Sequence, residues 1–596
     1  MCYKPGGTLV SPGLTLHIYL DYMTDTYTPD DSIQGSFDDD LLKIYSDSLK
    51  QNFDLPCLTD YTTGETITYG DFARRIARLH LLFRQAGINE GDKIALLGKN
   101  NITWVTVFFA TITYGATIVP ILSDFNPRDA QHIINHSDSR LLFVSDRIME
   151  SLHFDAMPNL MAAISLDNRH LIEERPDPTD ALPDLSWVKL LRNLTRRFRS
   201  VYKRGFSADD IDFPQLPSTH PALINYTSGT TGFSKGVVLS LGNLAGNVVF
   251  GIRSHLHFPG SRALSFLPLA HAYGCAFDML VPIAVGTHVT LLGGTPTPRI
   301  LLKALAEVKP SLIICVPLIL EKIYRRQIVP MITRKAMRWA LAIPLLDKAI
   351  YAKIREKLVQ AFGGEFEEVI VGGAPLNPEV ESFLRQIKFP FTVGYGMTEC
   401  GPLISYTPWR EFIPTSAGHT LRGFMTARID SPDPANTPGE ILVRGTNVML
   451  GYYKNPEATR QAIDSDSWLH TGDMGTLGGD DGQTIFIRGR SKTMILSANG
   501  QNIYPEEIEA KLNNMPFVAE SLVVERNGQL VALVFPDSEA ADIHGLKDEE
   551  INEAMENTRR EVNSLLAPYE ALAAIELVDR EFMKTPKRSI KRYLYR

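Results

Sequence analysis

The sequence predicts an α/β protein: a large N-terminal domain of parallel-rich sheets covered by helices, followed by a small C-terminal α+β domain. Three observations lead there. Short apolar, β-branched runs recur along the chain, the stretches between them have helical length and spacing, and the last hundred residues change to a charged helix and alternating strands. At 596 residues the chain exceeds one hydrophobic core, and its 44% hydrophobic and 21% charged content is that of an ordinary globular protein.

The elements follow in order. Residues 1–36 form an N-terminal extension whose short apolar patch lacks a small-residue cleavage site, so no signal peptide is expected. "KIALLG" (93–98) predicts a strand, "NITWVTVFFATITYG" a helix and "TIVPIL" (117–122) the returning strand, one βαβ unit. The window 104–122 is the most apolar of the chain, but threonines, Gly115 and Pro120 make it a buried helix running into a strand rather than a membrane span. Further buried strands are expected at "LLFVSD", "HVTLLGG", "SLIICVP" and "EEVIVGG", in parallel sheets covered on both faces, with ligands at the strand ends.

Two segments mix cations with apolar residues. Residues 186–206 place Trp187, Leu190, Leu191, Leu194, Phe198, Val201 and Tyr202 on a stripe opposite seven Lys and Arg. Residues 334–362 repeat the mixture, with Pro344 breaking or kinking the helix. Either suits a membrane interface or a surface helix with snorkelling cations, and the second is the expectation. The large domain then spans 37–489, with a basic insert at about 186–206, and the small domain 490–596, where Pro505 starts a helix and Asn527-Gly528 turns a hairpin.

A formal charge of −8 argues against a general nucleic-acid binder. Five scattered cysteines (Cys2, Cys57, Cys275, Cys315, Cys400) without CxxC spacing read as reduced thiols of a cytoplasmic protein, with peripheral contact at the inner face of a membrane left open.

The chemistry concentrates in "NYTSGTTGFSKGV" (225–237). Glycines let backbone N–H groups turn toward an anion, hydroxyls add donors, and Lys235 brings a mobile positive charge. This is a phosphate cradle with more such residues than a linker needs. It is not a Walker A loop, because Lys235 lies between Ser234 and Gly236 rather than between glycine and a hydroxyl residue.

The loop resembles the signature of the adenylate-forming superfamily, which includes the acyl-CoA synthetases. "VGYGMTECGP" (393–402), "WLHTGDMG" (468–475) and "RGRSKTMILSANGQNIYPEEIE" (488–509) resemble that superfamily's later motifs in the same order. The resemblance implies an ATP-dependent acid–thiol ligase acting on a small-molecule carboxylate with Mg2+ and coenzyme A. It implies that Thr227, Ser228, Gly229, Thr230, Thr231, Gly232 and Lys235 hold phosphates, Glu399 holds Mg2+ and Thr398 donates to the α-phosphate. Tyr395 and the turn containing Gly373, Ala374 and Pro375 would enclose the adenine, and Asp473 would accept the ribose hydroxyls beside Arg490. Alone, each would read as a capped turn or a surface ion pair; the ordered set reverses that reading. His271 would line the route from carboxylate to thiol, Lys492 would sit at the hinge of a mobile small domain, and Gly500 would approach the pantetheine arm.

In the superfamily a C-terminal lysine bridges carboxylate and α-phosphate. Gapless alignment of "KTPKRSIKR" (584–592) puts Ser589 at that position, with Lys587 two residues before and Lys591 two after. Lys587 is the expected catalytic residue and Lys591 the alternative. A medium- or long-chain fatty acid is the leading substrate, with aryl acids, a carrier-protein thiol or a noncatalytic acyl-AMP binder as alternatives. No carrier segment follows residue 596, so a free-standing ligase is expected.

Overall fold

The run KIALL forms the strand Lys93–Leu97, and the helix Ile102–Tyr114 carries the chain to the parallel strand Thr117–Ile121, with Ile94 opposite Ile118. Asn101 caps the helix start by accepting from the Trp104 N–H, and Gly115 ends it at φ +91°, a conformation that costs little only without a Cβ. In this computed structural model the described residues are 40–175, 186–227, 235–294, 297–496, 502–526, 528–537, 548–585 and 590–595.

The βαβ unit lies in an eight-stranded sheet ordered Gly451–Tyr452, Lys235–Ser240, Pro221–Thr227, Thr117–Ile121, Lys93–Leu97, Ser139–Val144, Ala162–Ser165 and Leu171–Glu174. Its centre is parallel, and the pairings toward its two edges are antiparallel. The expected strand "HVTLLGG" forms His288–Leu291 in a second sheet, between Arg262–Ser265 and Pro56–Asp60 and parallel to both. "SLIICVP" and "EEVIVGG" form Leu312–Cys315 and Glu368–Val371, parallel in a third sheet with Phe391–Val393. A four-stranded antiparallel sheet, Met425–Asp430, Gly439–Gly445, Leu469–Gly478 and Thr484–Arg490, completes the large body. One buried apolar cluster runs through these sheets from Leu41 to Ile485.

The C-terminal segment packs a core of its own, including Ile503, Ile508, Leu512, Val523, Val534 and Leu572. Its helix Pro505–Leu512 begins at the expected proline. The strands Val518–Arg526 and Gln529–Pro536 pair antiparallel up to Arg526 and Gln529, and Gly528 takes φ +75° between them; Asn527 lies outside the described residues.

The two basic, apolar segments behave differently. Helix Trp187–Val201 buries Trp187, Leu190 and Phe198 against the body, half-buries Leu191 and Leu194, and holds Arg78 4.9 Å from the Phe198 ring. It is a surface helix; of the predicted stripe only Val201 points into solvent. The second segment breaks near Pro344 into helices Lys335–Leu341 and Leu346–Ala361. No helix among the described residues is long and apolar enough to cross a membrane.

Candidate active site

The phosphate-loop motif sits at the open end of a hairpin. Strands Pro221–Thr227 and Lys235–Ser240 pair so that Thr227 faces Lys235, and the Thr227 hydroxyl donates to the Lys235 carbonyl at 3.5 Å. The loop residues Ser228, Gly229, Thr230, Thr231 and Gly232 lie outside the described residues. Lys235 has a neighbour that no motif announced. Strand Gly451–Tyr452 pairs with Lys235–Ser240, which sets the Tyr452 ring 4.6 Å from Lys235 Nζ. The Tyr452 hydroxyl donates to Glu399 Oε1 at 2.9 Å. Burial, and after it the Glu399 charge, pushes the Tyr452 phenol well above its usual range, so it stays protonated and acts as a donor.

The residues expected around the nucleoside stand where neighbouring parallel strands end. Val371 pairs with Val393, so the turn from Gly372 and the segment from Gly394 leave the same sheet edge side by side. Gly373 takes φ +84°, and a Cβ on Gly372 would meet the Tyr273 ring at 3.0 Å. Gly373, Ala374 and Pro375 are exposed at this edge. Tyr395 is buried, and its hydroxyl donates to Asp473 Oδ2 at 2.7 Å. Asp473 faces Arg490 across the antiparallel pair, with Arg490 Nε 3.0 Å from Oδ1. Burial raises the Asp473 carboxyl above its usual range, while Arg490 and the Tyr395 hydroxyl pull it back. A carboxylate has about four lone-pair directions, so both oxygens keep acceptor capacity beyond these two partners. Thr398 is buried in the short turn Thr398–Cys400, and Glu399 next to it is half-buried.

His271 caps the helix Ala272–Cys275, its Nδ1 accepting from the Tyr273 N–H at 3.3 Å. Asn225 in the phosphate-loop hairpin donates to the Ala270 carbonyl at 3.0 Å, which fixes the His271 loop beside that hairpin. Asn100 braces the loop from the other side, donating to Leu267 O at 2.8 Å and accepting from Leu269 N at 3.0 Å. Asp278 is buried nearby, and burial holds its carboxyl well above the usual range.

Lys492 stands in the turn after Arg490, at the junction to the C-terminal segment. Ser491 N donates to Gly472 O at 2.9 Å, and the Thr493 hydroxyl donates to Glu506 at 2.7 Å, so this turn joins the Asp473 strand to the C-terminal helix. Gly500 lies outside the described residues, as do Lys587 and Ser589. The flanks of the last motif are described: Lys584 pairs with Glu520, Arg592 pairs with Glu509 and lies 3.5 Å from Glu506, and Lys584 and Ile590 form a β-bridge. Burial raises the Glu509 carboxyl to about 7, with Arg592 opposing the rise.

The fold thus brings together Lys235 beside Tyr452, Glu399 bound to that tyrosine, and Asp473 between Tyr395 and Arg490, the two groups joined by the segment from Tyr395 to Glu399. Comparison with known proteins identifies it further. The AMP-binding enzyme family model matches residues 46–453. The chain is 30% identical over 536 residues to the peroxisomal long chain acyl-CoA synthetase 6 of Arabidopsis thaliana, covering 84% of this chain and 73% of that one. It is 28% identical over 504 residues to 4-coumarate--CoA ligase 2 of Oryza sativa subsp. japonica, covering 81% and 80%. The fold matches ATP-bound MatB from Rhodopseudomonas palustris with a TM-score of 0.69 at 21% identity, covering 93% of this chain and 98% of that one. The chain belongs to the AMP-binding enzyme family, as an AMP-forming ligase of the acyl-CoA synthetase type.

Proposed function

We infer that the protein activates a medium- or long-chain fatty acid in two steps. In the first, a carboxylate oxygen attacks the α-phosphorus of ATP, the bond to the bridging oxygen breaks, and pyrophosphate leaves. In the second, the thiolate of coenzyme A attacks the acyl carbon, a C–S bond forms and AMP departs. The observation that carries this reading is the placement of the Asp473–Tyr395–Arg490 group and the Glu399–Tyr452–Lys235 group only four positions apart along one segment, Tyr395 to Glu399.

An anion must attack an anion in the first step, so fixed donors and cations decide its rate. Asp473 would accept the ribose hydroxyls and so fix the distance to the phosphates. Lys235 and the hydroxyls from Thr227 onward would take the β- and γ-phosphates, and Thr398 would donate to the α-phosphate. Glu399 would hold Mg2+, and the site fits that ion: a carboxylate is the hard oxygen donor it prefers, and Tyr452 fixes this one in place. When bound, the ion supplies positive charge for the leaving pyrophosphate. His271, on a loop held by Asn225 and Asn100, would border the path of the incoming thiol. The swing of residues 490–596 about Lys492 would exchange the small domain's two faces between the steps.

The plant long-chain synthetase favours a fatty acid, whereas the rice 4-coumarate ligase keeps aryl acids as the second reading. The four described cysteines are buried free thiols, in keeping with a reducing cytoplasm. AMP release should be measured with fatty acids of graded length, with 4-coumarate, and with either coenzyme A or a carrier-protein thiol as acceptor. Fatty acids are expected to exceed 4-coumarate in kcat/KM by at least about tenfold, the discrimination a few methylenes provide. A faster aryl acid would replace the substrate reading, and no carboxylate-dependent pyrophosphate exchange with any acid would leave a nucleotide binder.

Tyr452→Phe keeps the ring beside Lys235 but removes the hydrogen bond to Glu399. Adenylation is expected to slow roughly ten- to a hundredfold, the value of one hydrogen bond to a charged group. The magnesium concentration giving half-maximal pyrophosphate exchange should rise with it. Exchange unchanged at every magnesium concentration would remove Tyr452 from the site.

A further inference from the structure

Where the chain turns between helices Lys335–Leu341 and Leu346–Ala361, it presents apolar side chains to solvent. Trp339 is 78% exposed and Leu345 75%, with Ile343 and Leu346 beside them. Leu345 takes φ +75°, a left-handed conformation that a leucine adopts at a cost, and here it projects the side chain outward instead of burying it. Ala342 and Pro344 are exposed as well, so residues 342–346 form a continuous apolar tip.

The tip is ringed with positive charge. Arg334, Lys335, Arg338 and Lys348 are all exposed. Lys335, Arg338 and Trp339 share one side of their helix, at spacings of three and four residues. Residues 325–353 hold seven Lys and Arg against one acid, Asp347, in a chain whose formal charge is −8. An aromatic and branched aliphatic tip within a cationic ring fits the headgroup region of an anionic bilayer, where the ring meets lipid phosphates and the tip enters the acyl boundary. The helix at Trp187–Val201 has the same composition, but its tryptophan is buried and its apolar side is occupied by the protein itself.

We propose that the turn carrying Trp339, Ile343, Leu345 and Leu346 docks the protein on anionic membrane surfaces. The inference rests on this surface alone, and vesicle binding is read without turnover, so it stands or falls separately from the substrate reading.

The full-length protein is sedimented with vesicles of phosphatidylcholine and phosphatidylglycerol in equal parts, and with phosphatidylcholine alone. Binding is expected to the mixed vesicles, to weaken with salt, and to shift the tryptophan emission to the blue. The double variant Trp339→Ser/Leu345→Ser should lose most of the binding and the spectral shift. Lys335→Glu/Arg338→Glu should lower partitioning by at least roughly twenty-five-fold, about fivefold per cation removed. These positions are exposed, and a near-ultraviolet circular dichroism spectrum and melting temperature matching the parent show that each variant is folded. The proposal is overturned if the parent fails to bind mixed vesicles, if it binds neutral vesicles equally well, or if both folded variants bind like the parent. Self-association without vesicle binding, abolished by the same variants, would overturn it in favour of a contact between two copies.

Discussion

Asp473→Asn is expected to lower kcat/KM for ATP by a hundred- to ten-thousandfold while melting at or above the temperature of the parent. Two hydrogen bonds from ribose hydroxyls to a buried carboxylate represent about 3–6 kcal/mol together, and the amide keeps the shape without the charge. The stability half follows from linkage. Burial raises the folded-state pKa of Asp473 above its unfolded value, with Arg490 and Tyr395 offsetting only part of the rise. The folded state therefore holds the proton more tightly, and that contribution is present below the unfolded pKa and lost as pH climbs through the folded one. At neutral pH the ionised Asp473 works against folding, and asparagine removes that term. The proposed nucleotide role would account for a residue kept at a cost in stability. Arg490→Met extends the test. Removing the cation that lowers the Asp473 pKa should move the acid limb of the ATP-dependent rate to higher pH, although Arg490 is largely exposed and water moderates the shift. An acid limb that stays in place, or an Asp473→Asn protein with parental turnover, would detach this carboxylate from the nucleotide.

The large body was legible because a strand buried on both faces is written as an unbroken apolar run. Ile94, Val119 and Phe143 leave no polar face from which another fold could be argued. The antiparallel sheet from Met425 to Arg490 was not read as a sheet, since its strands alternate and its motif residues draw the eye to chemistry. Yet its register is what sets Arg490 opposite Asp473. Tyr452 was illegible for a related reason. It lies 53 residues from Glu399, and only the pairing of a two-residue edge strand brings them together. Asn100 and Asn225 carry no signature either, because a side-chain amide that braces a backbone looks in sequence like any polar residue. The mixture of cations and apolar residues was legible in both basic segments. Which of the two was buried depended on what packed over it, and that is a tertiary fact.

Lys587→Ala is expected to slow acyl-AMP formation by about a hundred- to a thousandfold, the cost of losing one preorganised charged donor at a developing anion. Thioester formation from preformed acyl-AMP should stay within about twofold, because the second step releases the phosphoryl group that the lysine would contact. The structure narrows the choice among the cations of the last motif. Lys584 is committed to Glu520, and Arg592 to Glu509 and Glu506, and Lys584 and Ile590 form a bridge. Both of these cations are already engaged in ion pairs within the C-terminal segment. Lys587 lies between them, two residues before the serine that stands at the superfamily's lysine position, and Lys591 lies just beyond the bridge. Measuring carboxylate-dependent pyrophosphate exchange for Lys587→Ala and Lys591→Ala side by side separates the two. A loss confined to Lys591→Ala moves the role there, and parental exchange in both variants means that Lys235 and the bound metal suffice for the first step.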